Sequence, residues 1–453
     1  MTTATTADTA TGVQHFRKIF ATWWPLAASW ILMSLELPAL SAVIARLPNP
    51  DINLAAYGGI AFPLALIFES PIIMLLAAST ALSKDYASYQ RLRTYMMRAG
   101  LILTALHILV AFTPLYYIFV ANIIGVPQEI VEPGRLGLMI MTPWSWSIAY
   151  RRFNQGVLIR TGHSKAVGVG TMVRLSANLI VLTIGYFVGS VPGIVVGTSA
   201  VISGVLSEAL YAGLVVRPVL HNELRLEPVV EPALTWQVFW AFYFPLVMTS
   251  LLSLLANPIG SAALSRMPLA LESLAIWTVI TGLIFILRSL GIAYNEVVVA
   301  LLDDCGAYPY LKHFAGLLAA AATVFLLVVT ATPLSHLWFQ GISALRPDLA
   351  ELAQQALWFA LPLPALSVLQ SWYQGTILYD KRTNGITESV VIYLITSLVV
   401  LGAGVVAKKY TGLNIGILAL TLSVATQTGW LWYRSRPVRQ TLDKRDQEMK
   451  TYD

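Results

Sequence analysis

Apolar runs of ~18 or more residues recur along the whole chain, which is the pattern of membrane-spanning helices. Short polar stretches marked by Pro, Gly and charge separate them, as in Pro48-Asn49-Pro50-Asp51 and Arg346-Pro347-Asp348. The pattern predicts spans at 19–45, 54–82, 94–121, 135–160, 165–190, 192–216, 236–265, 273–302, 311–338, 349–379, 386–407 and 412–433. Strand alternation is absent, which argues against a membrane barrel. The expected fold class is an all-α integral membrane protein with about 12 transmembrane helices. Residues 1–18 read as a disordered cytoplasmic tail and 434–453 as a charged, solvated one. The stretch 221–235, with Glu223, Arg225, Glu227 and Glu231, reads as a cytoplasmic linker. It divides the spans into six-helix bundles at 19–220 and 236–433.

The two halves repeat each other. Pro25, Pro38, Ser41, Ala42, Arg46 and Pro48 recur 220 positions later as Pro245, Pro258, Ser261, Ala262, Arg266 and Pro268. At a shift of 219, Gln155-Gly156 recurs as Gln374-Gly375, and Leu179-Ile180-Val181-Leu182 as Leu398-Val399-Val400-Leu401. Six spans per half is an even number, so both halves point the same way, related by an axis along the membrane normal. Parallel repeats of this kind build secondary transporters, with the substrate site where the halves face each other.

Composition agrees with a membrane protein. The 453 residues are 57% hydrophobic and 11% charged, where soluble proteins carry roughly 25% charged residues. With both termini on one side, Lys and Arg favour that side three to one, so both termini are expected in the cytoplasm. A prokaryotic inner membrane is the expected location. The net charge of +6 lies in loops that topology already explains, and implies no nucleic-acid partner. A single cysteine, Cys305, excludes an internal disulfide or a cysteine cage, and the six histidines lack metal-ligand spacing. No metal or other cofactor is implied. Asp303-Asp304, the one adjacent acidic pair, has no histidine partner, and no other constellation implies an enzyme.

Local sequence then resembles a known group. Pro25-Leu26 opens the first span and Leu54-Ala55-Ala56-Tyr57-Gly58 the second; Pro143…Ala149-Tyr150 runs into Gly156-Val157-Leu158 with Arg160. With two six-helix bundles and a linker after the sixth span, these features resemble the MOP exporter superfamily. That superfamily contains MATE multidrug transporters, lipid-linked oligosaccharide flippases and the progressive ankylosis (ANK) group, and the local echoes are nearest to ANK. The resemblance implies a V-shaped pair of bundles working by alternating access. MATE transporters commonly carry a coupling Asp on the first helix. Here the matching position is Leu40, and Glu36 lies one turn earlier on the same face.

Charges at membrane depth cost at least ~2.5–3.5 kcal/mol each and usually face a cavity or a partner. Arg151, Arg152, Arg174 and Arg288 are the deep cations. Helical spacing puts Trp144, Ser147, Arg151, Asn154 and Gln155 on one face of the fourth span. The repeat-related face of the tenth carries Ser367, Gln370 and Gln374, with Tyr373 nearby. Guanidinium groups bind phosphate and carboxylate bidentately, so these residues are candidate binders of an anion. The alternative for each arginine is a structural ion pair with Glu69 or Glu208. Glu36 and Glu69 are the candidate ion-coupling carboxylates, for H+ or Na+.

The reading is an exporter that moves an anionic small molecule or a lipid-linked phosphate through a central cavity between the bundles. The alternatives are a cation- or proton-coupled multidrug antiporter and a lipid or oligosaccharide-lipid flippase. The expected partners are the small-molecule or lipid substrate, membrane lipids and the coupling ion. A monomer is expected.

Overall fold

The computed structural model describes residues 3–231, 233–304, 306–380 and 384–450. Cys305, Lys381 and Arg382 lie outside the described residues. Among those residues, 11 helices are long and apolar enough to cross a membrane. Their outward side chains are strongly apolar: Phe187 is 79% exposed and Val406 85%. Lipid, not water, is the solvent that such a surface suits.

The remaining expected span, 135–160, is present as two shorter helices, Val131–Ile140 and Trp144–Arg160. The break falls at Pro143, which has no N–H to give the ladder. The tenth span breaks in the same way, between Pro347–Ala360 and Leu363–Tyr379, at Pro362. Pro143 and Pro362 are 219 positions apart.

The repeat extends to backbone and packing. Asn49 and Leu269, 220 apart, both have positive φ, at 51° and 55°. So do Gly125 and Ala344, and Gly189 and Lys408, each pair 219 apart. Close approaches repeat as well. A Cβ on Gly156 would fall 1.8 Å from Ser79 Oγ, and one on Gly375 would fall 2.8 Å from Val298 Cγ1. Val298 is the repeat equivalent of Ser79. Trp23 Nε1 donates to the Leu290 carbonyl at 3.1 Å. Its counterpart Tyr243 donates its hydroxyl to the Pro71 carbonyl at 2.6 Å. Gly58 and Thr278 are themselves repeat-equivalent, and they touch: a Cβ on Gly58 would sit 2.0 Å from Thr278 Oγ1. Only glycine allows the two helices to meet there.

The chain groups into two compact units. One holds the chain up to Pro38, Ile280–Ala403 and Leu413 onward; the other holds Ala39–Val279 and Gly404–Gly412. The first helix of the N-terminal repeat therefore groups with the later helices of the C-terminal repeat, a division that differs from a cut at the linker. The hydrogen bond from Trp23 to Leu290 shows how: the helix is anchored inside the first unit. Ile19, Trp23, Tyr294, Phe314 and Trp372 share that unit's core.

Two segments read as tails are helical. The N-terminal helix starts at Thr3 and runs to Ser34. Phe16 packs on the core, and Lys18 pairs with Asp304 at 2.7 Å. The C-terminal tail forms a helix over Arg436–Lys450. Its charges hide an apolar face: Val438 and Leu442, one turn apart, pack on the same core. Arg445 donates to the carbonyls of Leu302 and Asp304, and Asp446 accepts from the Tyr308 N–H. The helix thereby satisfies backbone groups at the end of one span and the start of the next.

A left-handed backbone costs a branched residue about 1–2 kcal/mol. Leu269 is 44% exposed, so its side chain offers little burial in return. Leu269→Asn, which copies Asn49, should therefore stabilise the protein by about 1 kcal/mol. Thermal unfolding in detergent measures this; a lower midpoint would contradict the reading of the repeat.

Candidate functional site

The second unit buries a cluster of charges. Trp144, Ser147, Arg151, Asn154 and Gln155 are all buried on the Trp144–Arg160 helix, as are most of its other residues. Arg151 Nη1 forms a very short ion pair with Glu208 Oε2. Gln155 Nε2 donates to Glu208 Oε1 at 2.9 Å. Arg174 Nε approaches the same carboxylate at 3.8 Å. Glu208 is 1% exposed, so two donors on one helix and the Arg174 cation on another answer a charge that has lost its water. Asn154 turns its amide back to the Tyr150 carbonyl at 2.9 Å and takes no part in the cluster.

Glu69, 5% exposed, closes the Phe62–Glu69 helix just before the break at Pro71. Arg152 is the cation that acts on it most, followed by Arg151 and Arg174, and Trp144 stands beside it. No ion pair within contact distance joins Glu69 to an arginine among the described residues. Arg152 Nε is buried without a hydrogen-bond partner. The cluster thus sets three arginines against two carboxylates and keeps positive charge in excess.

The C-terminal repeat presents a different arrangement at the same places. Glu69 corresponds to Arg288 at a shift of 219. Arg151, Arg152, Gln155, Arg174 and Glu208 correspond to Gln370, Ser371, Gln374, Tyr393 and Gln427. One cation remains, and every carboxylate has gone. Tyr393 is the ionisable group that acts on Arg288, just as Arg174, its counterpart, acts on Glu69. Arg288 Nε is buried without a partner, and no carboxylate pairs with it among the described residues. The helix that carries Arg288 packs closely on Leu363–Tyr379: Ser367 Oγ donates to the Arg288 carbonyl at 3.1 Å. Gln370 and Gln374 are half-buried on that helix, and neither amide has a hydrogen-bond partner among the described residues.

Two other candidates are placed elsewhere. Tyr373 lies under the Arg439 guanidinium, 5.0 Å from ring centre to charge. Glu36 begins the Glu36–Ile44 helix in the first unit and is half-buried. Arg151 and Arg174 converge on Glu208, so their charge is answered within the second unit, as the ion-pair alternative expects. Glu208 itself was legible only as a possible neutraliser; its role as the hub of the cluster depends on helix rotation, which spacing leaves open. Among the described residues, no group of His, Cys, Asp and Glu is placed to hold a metal ion.

Removing one partner of a buried ion pair strands the other, at a cost of about 3–5 kcal/mol. Glu208→Gln should therefore destabilise the protein by that order, read as a lower unfolding midpoint. Adding Arg151→Gln removes the stranded cation and places at both positions the residue type of Gln370 and Gln427, and should recover most of the loss. Equal midpoints for the single and double variants would show that the pair is not the hub.

No protein-family model and no curated protein matches the chain. Solved structures do. An inward-facing multidrug resistance MATE family transporter of the MOP superfamily matches with a TM-score of 0.65, at 14% identity, over 93% of this chain and 99% of its own. The lipid II flippase MurJ in an inward closed conformation matches at 0.63 and 14% identity, over 91% and 89%. A MOP superfamily transporter from Pyrococcus furiosus, described as having a binding pocket of reverse polarity, matches at 0.58 and 16%, over 95% and 98%. The chain is similar to these proteins along nearly its full length, and its fold is the fold of MATE and MurJ transporters.

Proposed function

We propose that this protein is a secondary active exporter of the MOP type that moves an anionic small molecule or a lipid-linked phosphate by alternating access. One observation carries the reading: Arg288 is a guanidinium inside a membrane span that no carboxylate answers among the described residues. An ion in that position is retained only if something compensates its desolvation. Neutral groups occupy the corresponding cluster positions, at Gln370, Ser371, Gln374, Tyr393 and Gln427. A single guanidinium with amide and hydroxyl donors suits a phosphate or carboxylate, and repels a cation. Arg152 adds a second cation without a contact pair, in the N-terminal repeat.

Glu69 is the proposed coupling residue. Its carboxylate is buried among arginines and makes no ion pair at contact distance, so its charge state is open to exchange of H+ or Na+. The chain is read as a monomer in a prokaryotic inner membrane with both termini in the cytoplasm. The sequence echoes support the ANK group as its nearest kin within the superfamily. A lipid-linked substrate is the second reading, supported by the likeness to a lipid II flippase.

Arg288→Gln should weaken anion binding roughly ten- to a hundredfold, the equivalent of one or two charge-assisted hydrogen bonds. Its unfolding midpoint should not fall, because no carboxylate is left stranded. Glu69→Gln should abolish transport driven by a pH gradient and leave anion binding in place. Reconstituted liposomes read both. Uptake that ignores Arg288 and follows Glu69 alone would overturn the anion reading in favour of a cation antiporter.

A further inference from the structure

The two repeats also differ in sequence near the linker. Near the linker, the Tyr86–Phe112, Trp144–Arg160 and Gly193–Val219 helices enclose a cavity of about 320 Å³. Arg93, Arg217, Arg225, His221, Tyr86 and Tyr150 line it, and no Asp or Glu does. Arg225 Nη2 donates to the Tyr86 hydroxyl at 3.0 Å, with its guanidinium 4.7 Å from the ring centre. Arg93 and Arg217 make no ion pair or hydrogen bond among the described residues. The nearby Glu223 is turned to His163, 3.4 Å away.

The C-terminal repeat shows what normally fills this space. Arg217-Pro218-Val219 recurs as Arg436-Pro437-Val438, 219 positions on. Gly213 corresponds to Trp432, Leu220 to Arg439, Asn154 to Tyr373 and Tyr150 to Leu369. There, Arg436 lies over the Trp432 ring at 4.3 Å, and Arg439 over Tyr373 and Trp432 at 5.0 and 6.0 Å. Cation–π contacts answer both charges and occupy the room. In the N-terminal repeat Gly213 carries no ring; Tyr150 packs onto it instead, a Cβ there falling 2.4 Å from the Tyr150 hydroxyl, and Arg217 has no ring or carboxylate partner among the described residues.

The wall of the cavity is held in place. Asp85 Oδ2 accepts from the Val230 N–H and Oδ1 from the Ser88 N–H, both at 2.7 Å. Burial pushes the Asp85 carboxyl up, but these hydrogen bonds outweigh it and hold the group below its ordinary range, so it stays ionised. The linker that carries His221 and Arg225 is thereby tied to the start of the Tyr86–Phe112 helix.

We propose that this cavity binds a phosphate group, free on a small metabolite or borne by a lipid headgroup, at a site separate from the Arg288 nest. Three cations with no carboxylate in the lining favour an oxyanion, and guanidinium forks match its geometry. Tyr86 and Tyr150 supply hydroxyl groups at the rim.

The test uses the purified full chain. Glycerol 3-phosphate is titrated calorimetrically in lipid-free detergent, and retention of phosphatidylglycerol is followed by native mass spectrometry. Two variants probe the site. Arg93→Gln/Arg217→Gln removes charge. Tyr150→Leu/Gly213→Trp copies the C-terminal repeat and fills the cavity without changing any charge. Both should weaken binding by about tenfold or more. Binding of glycerol 3-phosphate in micelles assigns the site to a free phosphate; retention of phosphatidylglycerol alone assigns it to a headgroup. The same titrations are repeated on Arg288→Gln: a loss caused by Arg93→Gln/Arg217→Gln that persists in the Arg288→Gln background belongs to this cavity, so the site and the transport reading fail separately. If neither probe binds, or the charge-removing variant binds both as the parent does, the proposal is overturned.

Discussion

A charge carried into a membrane span has lost its water and must be answered by another group. The N-terminal repeat meets this constraint by gathering Arg151, Gln155 and Arg174 around Glu208, with Glu69 and Arg152 beside them. That cluster joins four helical segments, so helix register, the polar stripe on the Trp144–Arg160 helix and the burial of Glu69 all depend on it. The C-terminal repeat meets the same constraint differently. It replaces the network with neutral amides and a tyrosine and leaves one cation, Arg288. Pairing makes the first site a structural hub. The second, where no carboxylate pairs with Arg288 among the described residues, is the proposed place for a ligand.

The repeat explains why such a comparison is meaningful. Two copies of one backbone share prolines at their helix breaks, left-handed residues at their turns and close approaches at Gly156 and Gly375. Each copy offers the same geometric positions. The proposed sites lie where the copies differ: Glu69 against Arg288, and Gly213 against Trp432.

Much of this was legible in the chain. Apolar run length marks the spans, and proline and arginine register marks the repeat. The residues of the stripe from Trp144 to Gln155 are all buried, and two of them meet at Glu208. Other signals were present but quiet. Thr113-Pro114-Leu115 recurs as Thr332-Pro333-Leu334, and both prolines start short helices that pass into wide turns. The correspondence of Glu69 with Arg288 escapes any comparison by identity, because the charges are opposite. Left-handed backbone at Leu269 and Ala344 is invisible to residue type, since neither side chain favours it. The C-terminal helix reads as a solvated tail because charged and polar residues surround its apolar contacts, Val438 and Leu442. Partner choice at Glu208 depends on helix rotation, which spacing constrains only within one helix.

The central claim is that Arg288 answers its charge with a substrate anion. Cryo-electron microscopy of the full chain, purified with its co-extracted small molecules and lipids, tests it most directly. The account predicts density of phosphate or carboxylate size within hydrogen-bond distance of the Arg288 guanidinium. Arg288 closed onto a carboxylate of the protein would contradict it.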